Sequence, residues 1–162
     1  FGVNINYLTE EKPLGTAGAL ALMDDPTETV LVINGDILTQ VDLKAMMEYH
    51  RECNAELTLA VNQYEIQVPY GVIQTDGQFV QNITEKPVMT SLINAGIYLL
   101  EPSVFQSIPK HQYFDMTSLI QNLVDAGRSV SAFPIWEYWL DIGQKTDYIQ
   151  AQIDLNTNEI FK

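Results

Sequence analysis

Apolar and polar positions divide this chain into short strand-like runs and amphipathic helices. The most concentrated run is Val30-Leu31-Val32-Ile33, in which three of four residues are β-branched, and it stops at Asn34-Gly35-Asp36. Such a run predicts a strand covered on both faces of an α/β sheet. Asn34-Gly35 reads either as the tight turn of a hairpin or as the exit from a sheet strand, with Gly35 leaving room for a ligand at the carboxyl edge. Leu43, Met46, Met47 and His50 then fall at helical spacing, so a helix capped by Asp42 and closing near Cys53 is expected next, in place of a pairing strand.

The flanking chain follows the same logic. Val3 to Leu8 reads as a strand, and Leu14-Gly15-Thr16-Ala17-Gly18-Ala19-Leu20-Ala21-Leu22-Met23 as a helix entered through a glycine turn. The small residues at that entry either leave backbone N–H groups open to an anion or a flat base edge, or serve close helix packing. Ala55 to Val61 alternates as a strand. Asp76-Gly77, between Tyr70 to Gln74 and Phe79 to Ile83, predicts a hairpin.

Leu92 to Leu100 is a buried strand interrupted by Asn94-Ala95-Gly96, where a strand glycine marks close approach of a ligand or another backbone. A short helical turn spans Pro102 to Ser107, and Asp115 is placed to cap a helix with Leu119, Ile120, Leu123 and Val124 on one stripe, ended by Gly127. Val130 to Ile135 is a strand, and a last helix capped by Thr146 carries Ile149 and Ile153 inward. Strands alternating with helices, together with one hairpin, predict an α/β fold with a mixed sheet in a single domain over residues 1–162.

Composition narrows the chemistry. The content is 46% hydrophobic, and 21 acidic against 8 basic residues give a net charge of −13, which disfavours nucleic-acid binding. A small phosphorylated ligand remains compatible, because a bound divalent cation inverts the local field. Any triphosphate site has few cations to draw on. No run reaches a membrane-spanning length, so no membrane partner is expected. Cys53, the single cysteine, excludes an intramolecular disulfide and suggests a reducing, cytoplasmic compartment, and it reads as a small residue closing a helix. The start Phe1-Gly2-Val3, entering a strand-like run directly, reads as the middle of a protein.

Candidate chemistry gathers at few positions. Asp36 and Asp141 each end an apolar run beside a glycine, and two such aspartates at one sheet edge suit Mg²⁺, which favours one or two carboxylates, waters and phosphate oxygens. Asp141 reads equally as a turn or capping residue. Lys86, between Glu85 and Pro87, is either a phosphate contact beside a carboxylate for a sugar hydroxyl or one of a solvated surface pair. Asn94 offers an amide suited to polyol recognition. His50 and His111 stand alone, and neither a Ser/His/Asp arrangement nor a histidine metal pair can be assembled.

Together these stretches resemble the sugar-1-phosphate nucleotidylyltransferases, over essentially the whole chain. Pro13-Leu14-Gly15-Thr16-Ala17-Gly18-Ala19-Leu20 is similar to the family's base-contacting segment, and Asn34-Gly35-Asp36 to its strand-end motif with a metal-binding aspartate. Tyr70-Gly71-Val72-Ile73, Glu85-Lys86-Pro87 and Asn94-Ala95-Gly96-Ile97-Tyr98 resemble the sugar and sugar-phosphate contacts. Trp139-Leu140-Asp141-Ile142-Gly143, with Asp147-Tyr148 after it, resembles the segment bearing the second metal aspartate.

The resemblance implies a Rossmann-like, mainly parallel sheet flanked by helices. It also implies in-line attack of a sugar-1-phosphate oxygen on the α-phosphorus of an NTP, releasing pyrophosphate. Asp36 and Asp141 would hold Mg²⁺, and Lys86 the sugar phosphate. Leu14, Gly15, Thr16, Gly18 and Gly35 would face the nucleotide; Gly71, Glu85, Asn94, Ala95 and Gly96 would face the sugar. The Leu-Gly-Thr-Ala-Gly form and Tyr-Trp-Leu-Asp-Ile-Gly resemble the GDP-mannose branch, which favours GTP and a hexose-1-phosphate.

The family also begins with a glycine-rich strand and loop carrying an arginine and then a lysine for the triphosphate, and this chain shows no such segment. The expectation is therefore the later two-thirds of a domain, weak or inactive alone. Its unpaired sheet edges would favour pairing with the missing segment or a homo-oligomer. A non-catalytic nucleotide-sugar or sugar-phosphate sensing module is the alternative. A glycosyltransferase ranks last, since the Asp-x-Asp of such enzymes is absent.

Overall fold

The computed structural model describes residues 2–157. In chain order the elements are the single turn α1 (Gly15–Gly18), continued by a 3₁₀ turn (Ala19–Leu22), β1 (Val30–Ile33), β2 (Ile37–Thr39), α2 (Leu43–Glu52), β3 (Leu57–Gln67), β4 (Val72–Asp76) and β5 (Phe79–Thr84). There follow β6 (Val88–Leu100), α3 (Pro102–Phe105), α4 (Met116–Asp125), β7 (Val130–Pro134), β8 (Trp139–Asp141) and α5 (Lys145–Asn156). The main sheet has the order β1-β6-β3-β7. β1, β3 and β7 run one way, and β6 runs antiparallel between β1 and β3.

Alternation along β6 builds the core on both faces of this sheet. Tyr98 and Leu100 join Leu57, Met116, Leu119 and Leu123 on the side of α4. Ile97 and Leu99 join Met46, Ala60 and Ile135 on the side of α2. The α/β expectation is met, with helices on both faces of a mixed sheet.

Four local expectations are corrected. Val30 to Ile33 is not covered on both faces. β1 is an edge strand, and Val32 packs inward while Leu31 and Ile33 stay 39% and 42% exposed. Val3 to Leu8 forms no strand, because no neighbour among the described residues takes up its backbone hydrogen bonds. The run Leu14 to Met23 makes only α1 and the 3₁₀ turn. In α5 the N-cap is Gln144, whose N–H donates to Asp147 at 2.8 Å, and not Thr146. That helix turns Ala151 and Asp154 inward, with Asp154 accepting from Tyr138 (2.6 Å) and Gln150 (2.6 Å), and leaves Ile149 and Ile153 about half exposed.

Two polar clusters brace the end of the sheet where β1 begins. His50 is buried, with Nδ1 2.7 Å from Thr58 Oγ1 and Nε2 3.0 Å from Glu101 Oε1, and the chain of contacts runs on to Thr29 (2.5 Å from Glu101) and Ser131 (2.6 Å from Thr58). This belt ties β1, α2, β3, β6 and β7 together through their ends. Nearby, Arg128 grips the Glu56 carboxylate in a fork and also donates to Ser107 (2.8 Å) and Ser103 (3.0 Å).

The Arg128 guanidinium holds the Glu56 carboxyl down at about 2. A depressed carboxylate contributes stability above its unfolded value of 4.5 and loses it as pH falls toward the folded value. Thermal melting followed from pH 6 to pH 2.5 is expected to show a loss of stability below about pH 4.5 that is smaller in Glu56→Gln. Identical pH profiles for the two proteins would refute the assignment.

Candidate active site

The site starts at the carboxyl end of β1. Asn34-Gly35-Asp36 turns the chain from β1 into β2, and β2 pairs with β8 rather than folding back on β1. The expected helix α2 does follow, with Asp42 accepting from the N–H groups of Lys44 (2.9 Å) and Ala45 (3.0 Å). The short β2 between turn and helix was not foreseen, because three residues carry too little periodicity to register.

That short ladder unites the two aspartates. Ile37 stands opposite Asp141, Leu38 opposite Leu140 and Thr39 opposite Trp139, while the Ile142 N–H donates to the Asp36 carbonyl at 2.8 Å. Asp36, in the turn that leads into β2, and Asp141, at the end of β8, thus come to one end of this ladder. Burial and then the charges of Asp36 and Asp147 push the Asp141 carboxyl above its ordinary value. Among the described residues no cluster of three or more His, Cys, Asp or Glu could hold a metal. Two repelling carboxylates are an oxygen set that a hard cation with waters and phosphate oxygens can complete.

Gly96 seats the turn. At φ +73° it lies in a bulge of β6, and a Cβ there would come within 2.8 Å of Asn34 Nδ2 and 3.2 Å of Ile37 Cγ1. The Asn34 N–H donates to the Gly96 carbonyl at 2.9 Å. The close approach predicted for this glycine is thus made by Asn34. Ala95 is fully buried and its carbonyl accepts from Trp139 Nε1 (2.8 Å), which anchors β8. Asn94 is exposed, but its amide donates to Tyr98 (2.8 Å) and accepts from the Gly96 N–H (3.1 Å).

The glycine turn at α1 is closed, contrary to one of its two readings. The N–H of Thr16 donates to Asp115 Oδ1 (3.2 Å), and those of Ala17 and Gly18 donate to the Phe114 carbonyl (3.0 and 2.9 Å). Thr16 Oγ1 in turn accepts from the Met116 N–H (2.8 Å), so Asp115 caps α1 while Thr16 caps α4. Gly15 and Gly18 are required because a Cβ would strike Asp115 and Phe114, or Leu14 and Gln112, within 3 Å. Leu14 is buried, and Thr16 is the exposed member of the segment.

Thr16, Val32, Ile33, Asn34, Gly35 and Asp36 line an open hollow of about 550 Å³. It contains no basic side chain. A second hollow of about 490 Å³, beside Thr9, Glu10, Lys12 and His111, holds neither aspartate. Gly71, Glu85 and Lys86 meet elsewhere, where β3–β6 gives way to the β4–β5 hairpin. There Glu85 Oε2 lies 3.0 Å from where a Gly71 Cβ would be, and Lys86 adopts φ +45°. Lys86 forms no ion pair among the described residues. Sequence reasoning missed Asp115 and Trp139 as supports of the site, since partners so far apart in the chain leave no local pattern.

Known proteins are similar to this chain in sequence and fold. The nucleotidyl transferase family matches residues 1–158. The mannose-1-phosphate guanylyltransferase 1 of Arabidopsis thaliana is 34% identical over 91% of this chain and 43% of its own length. HddC from Yersinia pseudotuberculosis, solved with GMP-PN, superposes with a TM-score of 0.61 at 27% identity, covering 90% of this chain and 64% of that one. A candidate glucose-1-phosphate thymidylyltransferase from Bacillus anthracis, solved with sucrose, gives 0.69 at 22% identity over 94% of this chain and 65% of that one, a likeness of fold. The chain spans about half the length of the curated relatives it matches. With the strand-end aspartates, the capped glycine turn and these likenesses in place, the chain belongs to the nucleotidyl transferase family.

Proposed function

We propose that this chain carries the metal-binding and acceptor side of a sugar-1-phosphate nucleotidylyltransferase that uses GTP and a hexose-1-phosphate and releases pyrophosphate. The observation that carries it is the β2–β8 ladder, which pairs Ile37, the residue after Asp36, with Asp141 beyond the carboxyl end of β1. GTP is favoured because the matching relatives are named as guanylyltransferases and one neighbour was solved with GMP-PN.

Asp36 and Asp141 would hold Mg²⁺, which when bound supplies charge neutralisation on the phosphates. Lys86 is free among the described residues to take the phosphate of the sugar, and Glu85 beside Gly71 to accept from its hydroxyls. Asn94, Ala95 and Gly96 act chiefly by placing the Asn34 turn and Trp139, with Asn94 the exposed member toward the sugar. Thr16 and Gly35 front the hollow for the nucleotide, while Leu14, Gly15 and Gly18 fix the segment that presents Thr16. Catalysis of this kind is positioning plus charge stabilisation.

The hollow lacks a cation of its own, so the reading assigns the triphosphate to an upstream glycine-rich segment seated on the free edge of β1. No helix among the described residues is long and apolar enough to cross a membrane. The same proposal places the chain in the cytoplasm, a reducing compartment that suits its single cysteine.

Magnesium-dependent pyrophosphate release from GTP and mannose-1-phosphate is expected only in a version extended upstream, and Asp36→Asn or Asp141→Asn should lower it by about 10²-fold or more. Robust release by the 162-residue chain alone would overturn the division of labour. Silence in both, despite nucleotide-sugar binding, would favour a sensing module.

A second test needs no turnover. Because burial and the charges of Asp36 and Asp147 disfavour the charged form of Asp141 in the folded state, Asp141→Asn is expected to melt higher than the parent at pH 7 without metal, and to lose the rise in melting temperature that millimolar Mg²⁺ gives the parent. A parent indifferent to Mg²⁺ would count against the metal assignment.

A further inference from the structure

Helix α5 packs against the grain of its own sequence. It leaves Ile149 and Ile153 48% and 49% exposed and turns Asp154, only 6% exposed, toward the protein. An aspartate is seldom buried unless partners satisfy its charge. Here Asp154 Oδ2 accepts from the Tyr138 hydroxyl at 2.6 Å, and Oδ1 accepts from Gln150 Nε2 at 2.6 Å. Gln150 lies one turn back on the same helix, so the Tyr138 bond is the one that leaves α5, and the proposed chemistry makes no use of it.

Tyr138 stands immediately before β8. Its carbonyl accepts from the Gln40 N–H (3.0 Å) and from Thr39 Oγ1 (2.9 Å), both at the end of β2. One residue thus touches the helix through its phenol and the ladder through its backbone. The lengths fit this closure: from Asp141 back to Tyr138 the strand runs about 10 Å, and from Lys145 to Asp154 the helix runs about 14 Å, so α5 returns alongside β8. Its near end is fixed by the capping box of Gln144 and Asp147, and its far end by Asp154. Trp139, the next residue along, is anchored on the other side of the strand, by the 2.8 Å bond from its Nε1 to the Ala95 carbonyl. A ladder of three rungs has little register of its own, and a slip of one residue would carry Asp141 away from Ile37. Anchors on both sides of β8 remove that freedom.

We propose that Asp154 is a positioning residue: through Tyr138 it holds β8 in the register that places Asp141 opposite Ile37. What that placement does for Mg²⁺ rests on the function proposed above. Asp154 acts as a hydrogen-bond acceptor and not as a further charge at the metal. The distinction is testable, because an asparagine keeps an oxygen for Tyr138 and can give its NH₂ to Gln150 once that amide turns over.

Amide exchange without metal reads the register itself. In Tyr138→Phe and in Asp154→Ala the N–H groups of Gln40 and Ile142 are expected to exchange at least about tenfold faster, while that of Glu101, bonded to the Glu56 carbonyl (2.9 Å) at the other end of the sheet, keeps its rate. In the same 162-residue chain the Mg²⁺ concentration at half of the melting-temperature rise should increase about tenfold in both variants, no further in the double variant, and by less than about twofold in Asp154→Asn. Tyr138→Phe removes a single oxygen and carries the test if Asp154→Ala does not fold. Unchanged exchange at Gln40 and Ile142, a parental Mg²⁺ midpoint in both variants, or an Asp154→Asn as impaired as Asp154→Ala would each overturn the proposal. A parent that ignores Mg²⁺, with variants that still show the faster exchange, would remove the metal reading and leave the placement of Asp141 standing.

Discussion

A ladder of three rungs, Ile37–Thr39 against Trp139–Asp141, is the contact on which the carboxyl edge of this molecule depends. It is too short to be stable by itself and is held from both ends. Trp139 is pinned by the carbonyl of buried Ala95, and Ile37 is reached only because Gly96 has no side chain to block Asn34. The bulge of β6 at Gly96 thus sets two strands that lie far from it in sequence. The cost accepted there is electrostatic: burial and then the charges of Asp36 and Asp147 disfavour the ionised form of Asp141. Groups arranged against their own stability in this way are characteristic of sites awaiting a ligand of opposite charge.

At the other end of the sheet the logic reverses. The belt through Thr29, Glu101, His50, Thr58 and Ser131 leaves no buried side-chain polar atom unpaired among the described residues. The forked Arg128–Glu56 contact closes the adjoining corner with both charges matched. Satisfied networks of this kind rigidify, because opening any one member would strand the next without a partner. Rigidity at this end and unrelieved repulsion at the other divide the sheet into a scaffold edge and a reactive edge.

Much of this was legible where the pattern is local. The β-branched run at Val30, the helical spacing of Met46 and His50, the Asp42 cap and the Asp76-Gly77 hairpin each state their structure within about ten residues. What could not be read was relational. The donors of Thr16 and Gly18 look open in sequence and are closed by Asp115 and Phe114, almost a hundred positions away. The interruption at Asn94-Ala95-Gly96 announces close approach, but not that Asn34 makes it. Likewise, Val30 to Ile33 has the composition of a central strand and lies at an edge, since composition reports what a face can bury and not what is present to cover it.

The junction of the two-stranded end of β3–β6 with the β4–β5 hairpin belongs to neither half of this picture. Its corner holds Lys86 in a left-handed backbone conformation, which a non-glycine residue adopts only when its surroundings enforce it. The enforcement available within the chain is thin: the Lys86 N–H bond to Tyr70 and the side chain of Glu85 lying over Gly71. Such a corner, at the middle of an otherwise unsupported two-stranded ribbon, sits at the low end of local stability. The lysine proposed to meet a phosphate therefore stands on a corner that few contacts within the chain fix.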